Sequence, residues 1–214
     1  MSESFVYPAL AWLQARGGEI RFGARARTIR YDHSRATSIR LTGETIELGP
    51  HDQVVVAVPP TVAATLVPGI TVPTEFRGIL NAHFRLGVTA PEVSILGVVG
   101  GATEWIFRHG DLVSVTISAA EKLLGYNGAG LASLIWHEVA RALKLDGDTM
   151  PPWRIIKEKR ATFAQTPEQI KLRPPTQTAW RNLVLAGDYI DNGLPVTIEG
   201  TIRNGEAAAR VLLR

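Results

Sequence analysis

The residues with the most chemistry in them lie near the C-terminus: Asn182-Leu-Val-Leu-Ala-Gly-Asp188-Tyr-Ile-Asp-Asn-Gly193-Leu-Pro195-Val-Thr197-Ile-Glu-Gly200. A short apolar strand over Asn182–Ala186 runs into Gly187, where the missing Cβ lets the backbone approach a ligand closely. Asp188 then stands at the carboxyl end of that strand, where α/β sheets bind their ligands. Its carboxylate could accept hydrogen bonds from sugar or ribityl hydroxyls. Gly193-Leu-Pro195 makes a turn, and Thr197 is placed to N-cap a last helix over Ile198–Leu212. The start of such a helix offers unpaired N–H groups and a partial positive charge, able to stabilise a partly anionic ring oxygen. An ordinary strand–turn–helix that closes a domain accounts for the same residues equally well.

Other chemistries find less support. The histidines His33, His51, His83, His109 and His137 are scattered, and His137-Glu138 is not followed by the second histidine of a zincin helix. All five read as satisfied or surface residues, and no metal site is expected. No Gly-x-Ser-x-Gly occurs; Ser114 and Ser118, on a strand and at its end, are explained by polar alternation. Gly128-Ala-Gly130-Leu-Ala-Ser133 approximates a dinucleotide fingerprint, but no strand precedes it. It reads as a loop and a helix start. No side chain stands out as a general acid or base, so the catalytic residues stay unassigned.

These residues need elements to hold them. Phe5–Arg16 has helical spacing and ends at Gly17-Gly18. Glu19–Phe22, Ala26–Tyr31, Thr37–Leu41 and Thr45–Leu48 read as short strands, with a turn at Gly43-Glu44. Val54–Val58 is a continuous apolar run, the mark of a strand buried on both faces in a parallel sheet. Pro59-Pro60 stops it, and a helix begins over Thr61–Leu66. Asn81–Leu86, Val93–Val99, Glu104–Arg108 and Leu112–Ser118 read as antiparallel strands, with a hairpin turn at His109-Gly110-Asp111. Leu131–Leu145 keeps a 3.6-residue period, Trp153–Ala161 is a strand, and Thr166–Thr178 is an extended, proline-bearing linker. The order α/β, antiparallel sheet with helices, then βα implies a mixed α/β (α+β) fold in which one domain interrupts another. The boundaries expected are 1–60, 61–175 and 176–214.

The chain has 214 residues, no cysteine, a net charge of +3 and a mean hydropathy of +0.07. It is long enough to bury most of its unfolded surface. The absence of cysteine excludes disulfides and thiolate metal centres and fits a reducing cytoplasm. No run of about 18 apolar residues suggests a spanning helix, and the first ten residues lack a secretory pattern. Seven arginines lie between Arg16 and Arg40. Strand alternation places several of them on a solvated face, and the modest net charge argues against nucleic acid.

The tail closely resembles the C-terminal flavin-binding motif of the FAD-dependent amine oxidase and phytoene desaturase superfamily. Leu-Ala-Gly-Asp188 followed by Gly193-Leu-Pro-x-Thr-Ile-Glu-Gly200 is most similar to the squalene-associated branch, the hydroxysqualene dehydroxylases of bacterial hopanoid synthesis. Asn81-Ala-His-Phe-Arg85, Glu104-Trp-Ile-Phe-Arg108, Val113–Ala120, Arg160–Pro167 and Arg173-Pro-Pro175 resemble the same branch, so the likeness covers nearly the whole chain.

The resemblance implies FAD as cofactor. Gly187 and Asp188 would meet its ribityl–pyrophosphate part. The backbone of Leu194, Pro195, Val196, Thr197 and Ile198 would face the isoalloxazine ring, and Ala26 the adenine, although the family often has valine there. Val58 and Pro59 would lead from the flavin domain to the substrate domain, an antiparallel sheet with helices. Phe84, Trp105, Phe107 and Trp136 are candidates to line an apolar substrate pocket, or are plain core aromatics. The implied reaction is reductive removal of the hydroxyl of hydroxysqualene, giving squalene. Carotenoid-type desaturation, amine oxidation and a non-catalytic module are the alternatives. The family opens with a βαβ unit carrying Gly-x-Gly-x-x-Gly, and this chain has no such unit. The resemblance therefore implies a C-terminal portion with an incomplete Rossmann-like domain, to be completed by an N-terminal flavin-binding segment or partner chain. The implied substrate is lipid-soluble, so peripheral membrane contact from the cytoplasm belongs with this reading, although no amphipathic anchor is evident.

Overall fold

The computed structural model describes residues 2–213, and for residues 89–93 it describes the backbone alone. The chain divides into two compact units: Met1–Ile70 with Pro175–Gly187 and Arg203–Arg214, and Thr71–Pro174 with Asp188–Ile202.

In the first unit, a π-helical turn over Ser2–Val6 leads into helix α1, Tyr7–Gln14. Strands β1 (Ala26–Asp32), β2 (Arg35–Leu41) and β3 (Thr45–Glu47) form an antiparallel meander. Strand β4 (Val54–Val56) pairs in parallel with β8 (Leu183–Leu185), in register from Val54–Leu183 to Val56–Leu185. Helix α2 (Pro60–Leu66) follows β4. In the last helix, α5 (Ile198–Leu212), Ala208 packs with Val184 and Ala186.

One side chain ties the meander to the parallel pair. Asn182 is fully buried. Its Oδ1 accepts from the Ala36 N–H at 2.8 Å, and its Nδ2 donates to the carbonyls of Ala36 at 2.9 Å and Asp52 at 3.3 Å. Replacing it with leucine strands a buried N–H and two carbonyls, each costing about 1–3 kcal/mol without its partner. Asn182→Leu is therefore expected to lower the urea midpoint by the equivalent of ~2–4 kcal/mol with an unchanged m-value.

In the second unit, strands β5 (Phe76–Gly97), β6 (Trp105–Ile117) and β7 (Trp153–Phe163) form one antiparallel sheet with β5 in the centre. Helix α3 (Gly128–Leu143) covers one face. Its Leu131, Ile135, Trp136 and Val139 join Leu80, Ala82, Phe84, Ile106, Val113 and Val115 in a single core. Asn127 caps this helix, its Oδ1 accepting from the Gly130 N–H at 2.7 Å, and Lys144 ends it in a left-handed conformation. The glycine run at 128–133 is thus a helix start.

The structure departs from the sequence expectations at four places. Glu19–Phe22 forms no strand, and Phe22 is exposed. The apolar run at 54–58 is not buried on both faces: the strand ends at Val56, and Val55 is 47% exposed on a sheet of two strands among the described residues, with one face uncovered by them. The four short strands of the middle region fuse into β5 and β6, so His109-Gly110-Asp111 lies inside β6 and is not a hairpin turn. The register there shifts on both sides of the Ala90–Gly110 pair, and Gly110 has φ +61°. A glycine at positive φ serves a bulge as readily as a tight turn, so the same residues signal both. The expected linker over Thr166–Thr178 contains a one-turn helix, α4 (Pro167–Ile170), capped by the Thr166 hydroxyl.

Candidate cofactor and substrate site

In the first unit, Ala26 opens β1, and Val58 and Pro59 join β4 to α2; Ala26 and Val58 are partly buried and Pro59 is exposed. Gly187 follows β8 at φ +149°, a conformation side chains disfavour. Its N–H donates to the Oδ1 of Asn204 at 2.9 Å, and the Asn204 Nδ2 donates to the Thr176 hydroxyl at 2.9 Å. Asn204 is fully buried. It fixes where the strand ends and was not singled out in the sequence, because an asparagine inside a helix carries no local signal of a distant partner.

In the second unit, Asp188 opens a loop that runs to Thr197. Arg173 gathers it: the guanidinium donates to the carbonyls of Leu194 at 2.9 Å and Asp188 at 3.4 Å, to that of Ile190, and to Asn192 Oδ1 at 3.2 Å. Asn192 closes the loop on itself. Its Oδ1 accepts from the Leu194 N–H at 3.0 Å, and its Nδ2 donates to the Gly200 carbonyl at 2.7 Å. The Val196 N–H donates to Gln165 Oε1 at 3.2 Å. The Thr197 hydroxyl accepts from the Gly200 N–H at 3.1 Å, the N-cap expected of it. A Cβ on Gly200 would come within 2.7 Å of the Pro195 carbonyl oxygen, so only glycine lets the turn pack this closely on the helix start. Pro195, Thr197 and Ile198 are exposed, while Leu194 and Val196 are half-buried.

The Asp188 carboxyl is half-buried. Burial pushes its pKa up, against the N–H groups of Asp188 and Tyr189 and the Arg173 charge, which favour the carboxylate. The next residue, Tyr189, is fully buried with its hydroxyl lacking a partner among the described residues, and burial raises its pKa as well.

The four aromatic candidates do not form one wall. Phe84 and Trp136 pack together at 5.2 Å between ring centroids, inside the core under α3. Trp105 and Phe107 flank buried Ile106 on β6 and point to the opposite face, 48% and 36% exposed. On that opposite face sequence reading missed two polar pairs. His83 Nδ1 lies 2.8 Å from the Ser114 hydroxyl, and the Thr116 hydroxyl donates to Asn81 Oδ1 at 2.8 Å. Each pair joins β5 to β6 across the register. Among the described residues, no three histidine or acidic side chains gather to hold a metal ion, and no helix is long and apolar enough to cross a membrane.

A parallel β4–β8 pair ending in Gly187-Asp188, a capped helix after it and a separate antiparallel sheet define a mixed α/β fold seen in flavin-dependent oxidoreductases. It is shared with a cofactor-binding redesign of putrescine oxidase (TM-score 0.69, 13% identity, 96% of this chain and 52% of that one). A putative protoporphyrinogen oxidase from Exiguobacterium sp. 255-15 also has it (TM-score 0.64, 11% identity, 92% and 48%). Residues 6–213 match the model of the flavin-containing amine oxidoreductases, and the chain belongs to that family. It is 44% identical to a hydroxysqualene dehydroxylase of Rhodopseudomonas palustris and 42% identical to one of Zymomonas mobilis. In both cases all of this chain is aligned with 51% of the relative, so the chain spans about half the length of these curated relatives.

Proposed function

We propose that this chain is the flavin- and substrate-contacting part of an FAD-dependent oxidoreductase that removes the hydroxyl of hydroxysqualene reductively, giving squalene. Residues 1–60 and 176–214 would serve the flavin, and 61–175 the isoprenoid. The observation that carries the reading is the Arg173-pinned loop presenting a half-buried Asp188 carboxylate just past the end of a parallel strand. The identity to hydroxysqualene dehydroxylases supports the substrate.

The residues present fit a flavin. Asp188 is an acceptor held in place, suited to ribityl hydroxyls, and the neighbouring Tyr189 hydroxyl is a buried polar atom without a partner. When bound, the flavin supplies the hydride that replaces the departing hydroxyl. The chain's part is to hold and shield. The exposed start of α5 at Thr197 and Ile198 would be open to the ring, and Leu194 and Val196 would give it an apolar edge. The first unit also carries apolar surface that needs covering: α1 and the π-helical turn before it have no buried residue, with Phe5, Tyr7, Trp12 and Leu13 all at least 45% exposed, and Val55 is uncovered on its two-stranded sheet. Parallel sheets are normally covered on both faces. This supports a dinucleotide-binding segment or chain as the partner that completes the flavin site.

The test is a fluorescence titration with FAD, on the chain alone and mixed with the N-terminal half of the Rhodopseudomonas relative. Saturable binding in the mixture is expected, weakened roughly 10- to 100-fold by Asp188→Ala, the range for losing hydrogen bonds to a charged acceptor. Because burial raises the Asp188 pKa, affinity should fall on acidification at a higher pH than the ordinary aspartate value of about 3.9 would allow. Absence of binding in the mixture, or an Asp188→Ala variant that binds as well as the parent, overturns the flavin assignment. Turnover of an amine in place of hydroxysqualene overturns the substrate.

A further inference from the structure

On the sheet face opposite α3 lies an open groove of about 450 Å³, lined by His83, Leu112, Pro152, Arg154 and Ile156, among others. Its walls are mostly apolar, with Ile156, which is 41% exposed, on the same face as His83. Between the apolar residues and the arginines Arg85 and Arg154 lies His83. The His83 ring is half-buried and held at Nδ1 by the Ser114 hydroxyl, 2.8 Å away. Its Nε2 has no partner among the described residues. Burial and the neighbouring Arg154 charge hold the imidazole below the ordinary histidine pKa, so it is neutral at pH 7. A neutral ring fixed at one nitrogen offers one hydrogen-bonding position at the other.

Resting on the reading that the chain handles a hydroxylated isoprenoid, we propose that this groove binds the alcohol, with His83 Nε2 hydrogen-bonded to its hydroxyl and Ser114 as the positioning residue. A hydroxyl both donates and accepts, so it suits either tautomer of the ring. The hydrocarbon on either side of it would lie against Leu112, Pro152 and Ile156. The competing ligand chemistry is an anionic headgroup drawn by the arginines at the rim. Arg85 is largely solvent-exposed and already lies 3.8 Å from Asp111, and Arg154 is exposed. Exposed charges contribute little in water, and the oriented, half-buried imidazole carries no charge to add to them. A ligand that leaves His83 unpaired pays for burying it, which is the physical basis for preferring the alcohol over the matching hydrocarbon.

The experiment measures binding of farnesol, farnesene and farnesyl phosphate to the full chain by tryptophan fluorescence. The variants are His83→Leu, His83→Gln and Ser114→Ala, each checked for an unchanged thermal melt. Farnesol is expected to bind roughly tenfold more tightly than farnesene. His83→Leu should abolish that preference, His83→Gln restore part of it and Ser114→Ala reduce it. Histidine ring NMR should show the His83 signals moving with farnesol alone. Equal binding of farnesol and farnesene, a preference for the phosphate ester that His83→Leu leaves intact, or a preference for farnesol insensitive to His83 overturns the assignment. A chain that takes up FAD in the mixture yet binds none of the three overturns it too and leaves the flavin reading standing.

Discussion

Arg173→Ala is expected to destabilise the chain by about 2–4 kcal/mol and to abolish measurable flavin uptake in the mixed titration. The guanidinium joins Asp188, Ile190, Asn192 and Leu194 at a common centre. It also sits over the Phe163 ring, 5.8 Å from the centroid, so its removal takes away packing as well as hydrogen bonds. Alanine leaves three carbonyl oxygens in a partly buried loop without their donor. Asn192, through its contacts to Leu194 and Gly200, and Gln165, through the Val196 N–H, then hold the turn. Arg173→Lys tests whether charge or shape matters. An ammonium cannot present the planar fork that reaches several acceptors at once, so lysine should recover less than half of the loss. Urea denaturation gives the stability, and limited proteolysis at 188–197 reports the loop directly. A Lys variant as good as the parent, or an Ala variant within 1 kcal/mol of it, removes Arg173 from its role.

How far the sequence reveals this arrangement depends on the reach of each interaction. The strand, Gly187, the turn and the Thr197 cap are neighbours in the chain, and each carries a local signature: an apolar run, a glycine, a proline turn, a hydroxyl three residues before the N–H it accepts. All of these were legible. Arg173, Asn182 and Asn204 act across the fold. Asn182 meets Ala36 at a separation of 146 residues, and nothing in the spacing around either residue announces it. His83 and Ser114 were read one at a time, as a scattered histidine and an alternating serine. Only the register that sets His83 opposite Ser114 makes them a pair. The middle strands show a subtler limit. A glycine between polar residues at 109–111 satisfies the chemistry of a turn, yet the ladder of β5 and β6 continues past them through a bulge. The cost of a bulge is small beside the pairing gained on both sides of it, and that balance is decided by the partner strand.

Trp136→Ala is expected to cost about 3–5 kcal/mol, the range for emptying a large aromatic site in a packed core, while Trp105→Ala and Phe107→Ala should each stay near 1 kcal/mol. The four aromatics were grouped by type in the sequence, and the pleat separates them. Trp136 is 3% exposed and leans on Phe84, which is fully buried, so truncating it opens a cavity that α3 cannot close without shifting against the sheet. Trp105 lies across Gly97 with its ring near van der Waals contact and has one side in water, so its loss is mostly that of a half-covered surface. A further substitution separates packing from polarity. The indole N–H of Trp136 is buried without a partner among the described residues, so Trp136→Phe removes an unsatisfied donor together with part of the volume. The two effects oppose, and the net cost should fall to about 1 kcal/mol. If Trp136 instead contacted the isoprenoid as a pocket residue, its alanine variant would keep the parent's melting temperature and lose farnesol binding. If Trp105 and Phe107 are the ones that meet ligand, the reverse pattern belongs to them: unchanged melting with weakened binding. Melting and binding measured on the same three variants therefore decide which face of the sheet is core and which is open to substrate.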